Sequence, residues 1–282
     1  MSEAAVLDPR ITLARADLAR TELEGVVKAE RFAPAVVRRI TVPAAAIRKA
    51  PDPAAEQLDQ ALFGELFDVV ETAGGQAWGQ ARRDGYVGYV AEGALGDLGE
   101  PATHWVSALR TFAFAEPSIR APAFGPLSMN ALVTVDGEPE GGFVHALGAG
   151  WIARRHLRPI GDAPTDFVEI AEQFLGAPYL WGGRDSLGLD CSGLIQQALY
   201  ACGRSCPRDT DQQAGMGRDA PGNALIRGDL VFWKGHVGVM LDGARLLHAN
   251  AHHMAVAVEP LGEAIQRIAA AGVGQPLGFR RL

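Results

Sequence analysis

The order of apolar and polar residues predicts short strands through the first half of the chain. Between residues 36 and 98, short apolar or β-branched runs are separated by Gly, Pro and Asp-Gly steps, which is typical of strands joined by tight turns. The predicted strands lie at 41–43, 66–70, 77–81 and 86–90. Residues 1–20 differ, because their charged and apolar positions predict a short amphipathic helix.

The layout of residues 36–98 recurs in residues 99–160. The sequence FGEL at 63–66 is similar to FGPL at 124–127, and VGYVA at 87–91 is similar to GAGWIA at 148–153. Both pairs are offset by about 61 residues, which indicates an internal repeat. Each repeat is too short for a large sheet, so we predict two small β-barrels in tandem.

Residues 161–282 follow a different pattern. Apolar residues at helical spacing predict a helix over 166–175 and a second helix that begins at Cys191. Strand-like runs follow at 229–233, 236–241, 245–249 and 254–258. Helices followed by an antiparallel sheet indicate an α+β fold. The predicted domains are an N-terminal helical segment over 1–35, β-barrels over 36–98 and 99–160, and an α+β domain over 161–282.

Candidate chemistry is concentrated at Cys191. A glycine-rich turn leads into Asp-Cys-Ser-Gly, and the helix starts at once, so the free N–H groups and the helix dipole favour a thiolate. His236 opens a predicted strand, and His248 lies near the end of the next strand. The Asp242-Gly243 turn between these strands would bring the two imidazoles together. The set predicts a catalytic triad with Cys191 as nucleophile, His236 as base and His248 as the residue that orients it.

A zinc site is the chemical alternative. His248, His252 and His253 cluster in the sequence, and Cys191 could join them. No Cys-x-x-Cys or His-Glu-x-x-His pair anchors such a site, so we predict neither a metal nor another cofactor.

Composition restricts the possible partners. The 282 residues carry a net charge of −7, which disfavours nucleic acid or an anionic membrane as the main partner and is compatible with a small peptide. Three cysteines, an odd number, argue against a disulfide framework. No stretch reaches the roughly 18–20 apolar residues of a membrane span, and no signal peptide is recognisable. We therefore expect a cytoplasmic location and no obligate protein partner.

The C-terminal part resembles the NlpC/P60 family of papain-like cysteine peptidases. The matching segments span about a hundred residues and are PYLWGG at 178–183, DCSGL at 190–194, PRDT at 207–210, RGDLVF at 227–232, HVGV at 236–239 and HA at 248–249. The β repeats resemble bacterial SH3 domains. Together they resemble the γ-D-glutamyl-L-diamino acid endopeptidases of cell-wall recycling. This resemblance implies cleavage after D-Glu in short murein peptides that carry a free N-terminal L-Ala.

The resemblance also implies a substrate site shared between domains. Glu65 and Tyr86 match the acidic residue and the tyrosine of the first SH3 domain that hold the N-terminal end of the peptide. A buried carboxylate suits an α-ammonium group. The family pattern further implies substrate-binding roles for Tyr179, Asp190, Ser192, Asp209 and Thr210. The Tyr179 hydroxyl and the Cys191 backbone N–H would stabilise the oxyanion. The segment between Glu65 and Tyr86 is short, so the loop that walls this pocket should differ from that of the family.

Two other functions fit the same fold. One is an amidase or acyltransferase that uses the same nucleophile on a different substrate. The other is a peptidoglycan-binding module, in which SH3 repeats hold the wall and the peptidase domain is inactive. Intact Cys191, His236 and His248 favour an active peptidase over the second alternative.

Overall fold

The computed structural model describes residues 7–282. Residues 7–35 form two short parallel strands, β1 (Leu18–Arg20) and β2 (Arg31–Ala33), and a 3₁₀ turn at Thr21–Leu23. The predicted N-terminal helix is wrong for residues 7–20, and its residues 1–6 lie outside the described part. Leu13 and Leu18 are buried against Trp78 of the following sheet, and this packing holds the segment extended along the sheet.

The first β unit is one antiparallel sheet of seven strands in the order β5-β4-β8-β7-β6-β3-β9. Its strands are β3 (Val36–Ile40), β4 (Ala44–Arg48), β5 (Gln57–Leu62), β6 (Leu66–Ala73), β7 (Gln76–Ala81), β8 (Val87–Ala91) and β9 (Leu95–Gly96), with a 3₁₀ turn at Glu92–Ala94. Ile40, Ile47, Phe67 and Val90 form its core. The strand predicted at 41–43 is wrong, because these residues form the turn between β3 and β4.

The second β unit has a five-stranded sheet, β12-β11-β16-β15-β14, and a three-stranded sheet, β13-β10-β17. The strands are β10 (His104–Val106), β11 (Arg110–Phe114), β12 (Ala123–Ser128), β13 (Leu132–Val133), β14 (Val135–Glu140), β15 (Phe143–Ala146), β16 (Gly150–Ala153) and β17 (Leu157–Pro159), with a 3₁₀ turn at Arg154–His156. Phe63 of the first unit belongs to this core. The next residue must be glycine, because a Cβ on Gly64 would lie 1.9 Å from the Leu132 carbonyl oxygen.

The C-terminal domain is built on a six-stranded antiparallel sheet, β20-β25-β21-β22-β23-β24. Its helices are α1 (Phe167–Glu172), α2 (Cys191–Ala201), α3 (Thr210–Gln213) and α4 (Leu261–Ala270). Its strands are β18 (Arg184–Asp185), β19 (Gly188–Leu189), β20 (Arg218–Asp219), β21 (Leu230–Trp233), β22 (His236–Met240), β23 (Arg245–Asn250), β24 (Ala255–Pro260) and β25 (Gly278–Arg281). The predicted α+β order is present, with α3, α4, β18, β19, β20 and β25 in addition.

Alternate residues of the six-stranded sheet pack on opposite faces. Leu230, Val237 and Leu247 face α1 and α2, whereas Val231 and Leu246 face α4. All eleven residues of α2 are buried, so this helix lies between the sheet and the two β units. Within residues 7–282, none of the helices combines the length and apolarity required to cross a bilayer.

Candidate active site

Cys191 is the first residue of α2 and is 5% exposed. Asp190 caps the helix, because its Oδ1 accepts a hydrogen bond of 2.8 Å from the Gly193 backbone N–H. The Cys191 Sγ lies 3.9 Å from the Gly235 carbonyl oxygen, at the turn that leads into β22. Burial, followed by the charge of Asp190, raises the pKa of Cys191 to about 12. This direction of the pKa shift favours a neutral thiol at Cys191 over the expected thiolate, because burial outweighs the helix N-terminus.

Two imidazoles are hydrogen-bonded beside this thiol. His236 opens β22, directly after Gly235, and its Nε2 lies 2.8 Å from Nδ1 of His248 on β23. The Nε2 contact leaves Nδ1 as the ring nitrogen of His236 that is free to exchange a proton with Cys191. Burial, and then the neighbouring His248, lowers the pKa of His236 to about 3, and burial lowers that of His248 to about 4. The structure thus places the His236–His248 pair directly after Gly235, which Cys191 contacts, and burial favours the neutral form of all three side chains. Their catalytic roles stay predictions.

Glu259 extends this row and was missed by the sequence reasoning. Its Oε1 lies 2.7 Å from His248 Nε2, and Arg267 of α4 forms an ion pair with the same oxygen. Strand register explains the contact. His248 pairs with Ala257, and Glu259 lies two residues further along β24, so its side chain is on the same face of the sheet. The pattern of β24 could have revealed Glu259 once that register was known.

The predicted zinc alternative does not assemble as a set. Donor atoms of His248, His253 and Glu259 lie within 4.8 Å of one another, without His252 or Cys191. Glu259 is already bound to Arg267, and the His253 Nδ1 lies 2.9 Å from the Asn250 Oδ1. A guanidinium on the carboxylate opposes a cation there, so these donors fit a hydrogen-bond network better than a metal.

Glu65 lies in the tight turn between β5 and β6 and is 2% exposed. Its Oε2 accepts hydrogen bonds from Arg184 Nη2 at 2.6 Å and from the Leu62 backbone N–H at 3.0 Å. Arg184 is itself fully buried and also forms an ion pair of 3.2 Å with Asp59. The carboxylate that the resemblance assigns to the substrate amine is therefore paired with a guanidinium of the C-terminal domain.

A second buried arginine joins Asp59 to the start of α2. Arg208 donates to Asp59 Oδ1 at 2.7 Å, to Asp190 Oδ2 at 2.6 Å and to Ser192 Oγ at 2.7 Å. The Asp59 Oδ2 has no hydrogen-bond partner among the described residues, and burial raises the pKa of Asp59 well above its usual range. Asp190 and Ser192 thus flank Cys191, but both accept hydrogen bonds from Arg208. Neither Arg208 nor Asp59 was predicted, because their connection spans 149 residues.

Tyr86 meets the C-terminal domain at Asp209. The Tyr86 hydroxyl donates to Asp209 Oδ2 at 3.1 Å, and Arg10 of the N-terminal segment forms an ion pair of 2.8 Å with the same oxygen. Burial, and then Asp209, raises the pKa of Tyr86. Thr210 follows and lines a cavity of about 300 Å³ together with Trp233 and Gly235. The N-terminal segment therefore borders the end of the site at which the resemblance places the substrate amine.

Tyr179 is half-buried, and burial raises its pKa, with the neighbouring Cys191 and Asp190 adding to the effect. Its phenol therefore stays protonated and able to donate a hydrogen bond near the nucleophile.

The second β unit braces the middle of α2. Asn130 Nδ2 donates to the Gln197 carbonyl oxygen at 2.9 Å and to the Gln197 Oε1 at 2.6 Å. Trp105 and Met129 of the same unit pack into the core around α1 and α2. These contacts hold the middle of α2, and none of them involves Cys191 itself.

Comparison with known proteins adds two family matches and two similar proteins. Residues 176–271 match the NlpC/P60 family, and residues 47–95 match the bacterial dipeptidyl-peptidase Sh3 domain. A gamma-D-glutamyl-L-lysine dipeptidyl-peptidase of Bacillus subtilis (strain 168) is 37% identical over 108 residues, which are 36% of this chain and 36% of that protein. A protein of the same name from Bacillus cereus is 31% identical over 116 residues, 37% of this chain and 35% of that one. The chain thus matches about a third of the length of these curated relatives.

One solved structure is similar over most of both chains. An NlpC/P60 family protein from Bacillus cereus ATCC 10987 covers 87% of this chain and 99% of its own, with a TM-score of 0.74 and 21% sequence identity. At that identity the similarity shows a shared fold. The chain therefore contains an NlpC/P60 family domain, preceded by a bacterial SH3 domain of the dipeptidyl-peptidase type.

Proposed function

We propose that the protein is a cysteine endopeptidase that hydrolyses the γ-D-glutamyl–diamino acid bond of short murein peptides with a free N-terminal L-Ala. The observation that carries the proposal is the position of Cys191 at the start of α2, beside the hydrogen-bonded imidazoles of His236 and His248. A buried thiol next to a base that is itself oriented by a third residue is the arrangement used for acyl transfer by cysteine peptidases. The names of the similar proteins support the choice of substrate.

The neutral resting pair defines the first chemical step. The Cys191 Sγ attacks the γ-carbonyl carbon while its proton passes to Nδ1 of His236. The Cys191 backbone N–H at the helix start and the Tyr179 hydroxyl would hold the oxyanion. The C–N bond then breaks, and the leaving amine takes the proton from His236. Water hydrolyses the thioester and releases L-Ala-D-Glu with a free thiol.

The charge of the buried network supports binding of a substrate amine. Three buried carboxylates, those of Asp59, Glu65 and Asp190, face the two buried guanidiniums of Arg184 and Arg208. The excess is therefore one carboxylate, that of Asp59, whose pKa burial raises well above its usual range. Arg83 and Asp84 add one positive and one negative charge next to this network, so they leave the difference unchanged. Arg83 approaches Glu65 at 3.8 Å, and Asp84 lies close enough to raise the pKa of Asp59. A cation such as the α-ammonium group of L-Ala would favour the ionised form of this additional carboxylate, so the network supports an amine at this end of the site.

The N-terminal segment supports a limit on peptide length. Arg10 and Asp8 lie at Asp209 and Gln212, next to Tyr86, where a longer substrate would have to leave the site. A closed end of this kind suits released peptides and opposes peptides still joined to glycan. We therefore place the activity in the recycling of murein peptides. The expected cytoplasmic location is tested by immunoblotting of cell fractions.

The proposal is tested with three peptides followed by mass spectrometry. They are L-Ala-γ-D-Glu-meso-diaminopimelate, its N-acetylated form, and the L-Lys analogue, with Cys191→Ala as the control. We expect release of L-Ala-D-Glu from the free-amine peptides and a loss of at least about 10²-fold in kcat/KM after acetylation, because an unpaired buried charge costs several kcal/mol. Equal cleavage of both forms would remove the amine pocket but keep the peptidase. No cleavage of any of the three would overturn the peptidase.

A further inference from the structure

Glu259 lies at the end of a continuous hydrogen-bonded row that leads to the nucleophile. The row runs from Arg267 to Glu259, from Glu259 Oε1 to His248 Nε2 at 2.7 Å, and from His248 Nδ1 to His236 Nε2 at 2.8 Å. We propose that Glu259 is a positioning residue that fixes the tautomers of both imidazoles, so that His236 presents an unprotonated Nδ1 to Cys191. This inference rests on the proposed function only in assigning His236 as the base.

The protons in the row follow from what each group can donate. A carboxylate can only accept hydrogen bonds, and the ion pair with Arg267 keeps Glu259 in that form. His248 must therefore carry its proton on Nε2. In a neutral imidazole the other nitrogen then has only a lone pair, so His248 Nδ1 is an acceptor. The partner of that acceptor, His236 Nε2, must carry the proton of its own ring. The Nδ1 of His236 is left with a lone pair, as a general base requires.

Both imidazoles are neutral at physiological pH, as this argument needs. His248 is fully buried and His236 is half-buried, and burial lowers the pKa of each ring. Burial alone would raise the pKa of Glu259, but Arg267 and His248 outweigh it and hold that pKa below its usual value.

The reversed tautomers would inactivate the pair. If His248 carried its proton on Nδ1, it would donate to His236 Nε2, and His236 would then hold its proton on Nδ1. The ring nitrogen of His236 that does not contact His248 could then no longer accept a proton from the thiol. Arg267 makes reversal a real alternative, because it contacts the same Glu259 oxygen as His248 Nε2. Without the carboxylate, the guanidinium would favour a lone pair on His248 Nε2.

The assigned tautomers predict how much activity each of four variants should lose. Glu259→Ala should lower kcat by about 10²–10⁴-fold with little change in KM, the range expected for loss of a correctly placed base. Glu259→Gln should lose much less, because its amide oxygen can still accept from His248 Nε2–H. Glu259→Ala combined with Arg267→Ala should recover part of the loss, because the cation that drives reversal is removed. Glu263→Ala, an exposed carboxylate on α4, is the control and should be unchanged.

The tautomers can be read without any substrate. In protein labelled with ¹⁵N-histidine, NMR separates protonated from unprotonated ring nitrogens. We expect His236 and His248 to carry their protons on Nε2 in the unmodified protein and in Glu259→Gln, and on Nδ1 in Glu259→Ala. A proton on Nδ1 of His236 in the unmodified protein would overturn the inference. So would a folded Glu259→Ala with unchanged tautomers.

If Glu259→Ala does not fold, the unmodified protein and Glu259→Gln still decide the question through their spectra. Failure of the proposed function is distinguishable, because it would appear as uncleaved peptides while the spectra showed the expected tautomers.

Discussion

Replacing Arg208 by methionine tests whether the buried charge network stabilises the protein. The guanidinium is 2% exposed and lies between Asp59 and Asp190, and the substitution leaves both carboxylates without it. Breaking a buried ion pair costs about 3–5 kcal/mol. The remaining partners of both carboxylates reduce the loss here. Asp59 keeps Arg184 at 3.2 Å, and Asp190 keeps the Gly182 and Gly193 N–H donors. We therefore expect a loss of about 3 kcal/mol in the free energy of unfolding.

The assay is thermal unfolding at pH 7 with a matched control. In proteins of this size, about 1 kcal/mol corresponds to roughly 2–4 °C in Tm, so Arg208→Met should lower Tm by about 6–12 °C. Arg227 also pairs with two carboxylates, Asp166 at 3.0 Å and Glu172 at 2.8 Å, but its side chain is 38% exposed. Arg227→Met should therefore cost at most about 1 kcal/mol.

The double variant separates charge from packing. If the unpaired carboxylate is the main cost, adding Asp59→Asn to Arg208→Met should recover part of the lost Tm. Equal losses for Arg208→Met and Arg227→Met would refute the argument that burial makes this network strong. A further loss in the double variant would show that packing, rather than uncompensated charge, dominates.

Two other predictions concern the substrate end and acid stability. Tyr86→Phe removes the hydroxyl that donates a hydrogen bond to Asp209, which is a loss of about 1 kcal/mol. KM for the free-amine peptide should therefore rise roughly fivefold. The kcat for any acetylated peptide should stay unchanged. Acidification should destabilise the fold between pH 6.5 and about 4. The folded pKa values of His236 and His248 are about 3 and about 4, so only the unfolded chain takes up their protons in that window. Urea unfolding from pH 7.5 to 4.5 should show this slope, and His248→Gln should reduce it; an equal slope in both proteins would contradict the assignment.

The parts of the site that were predictable from sequence depend on local pattern. The Asp-Cys-Ser-Gly step marks a helix start, and Asp190 does cap α2 with Cys191 as its first residue. The alternation of β22 and β23 and the turn between them allowed His236 and His248 to be placed side by side, and their ring nitrogens are 2.8 Å apart. Each of these inferences needs only neighbouring residues and one short turn.

The parts that could not be predicted depend on contacts between distant segments. Arg184 and Arg208 look like ordinary charged residues in the sequence. In the structure both are buried and form ion pairs with carboxylates of β5 and of the turn that follows it. The N-terminal helix was predicted from periodicity, but burial of Leu13 and Leu18 against the first β unit favours an extended chain. Glu259 required the register of β24, which periodicity does not determine.

The β units and the C-terminal domain form one scaffold around Cys191, because the C-terminal domain does not balance its own buried charges. Separated from the first unit, Arg184 would lose both Glu65 and Asp59, and Arg208 would lose Asp59. The helix that carries Cys191 would also lose the two hydrogen bonds that Asn130 of the second unit donates to Gln197. The two units therefore hold α2 at its start and at its middle. Since an error of about 1 Å at a nucleophile costs orders of magnitude in rate, this bracing ties the chemistry at Cys191 to docking of all three parts of the chain.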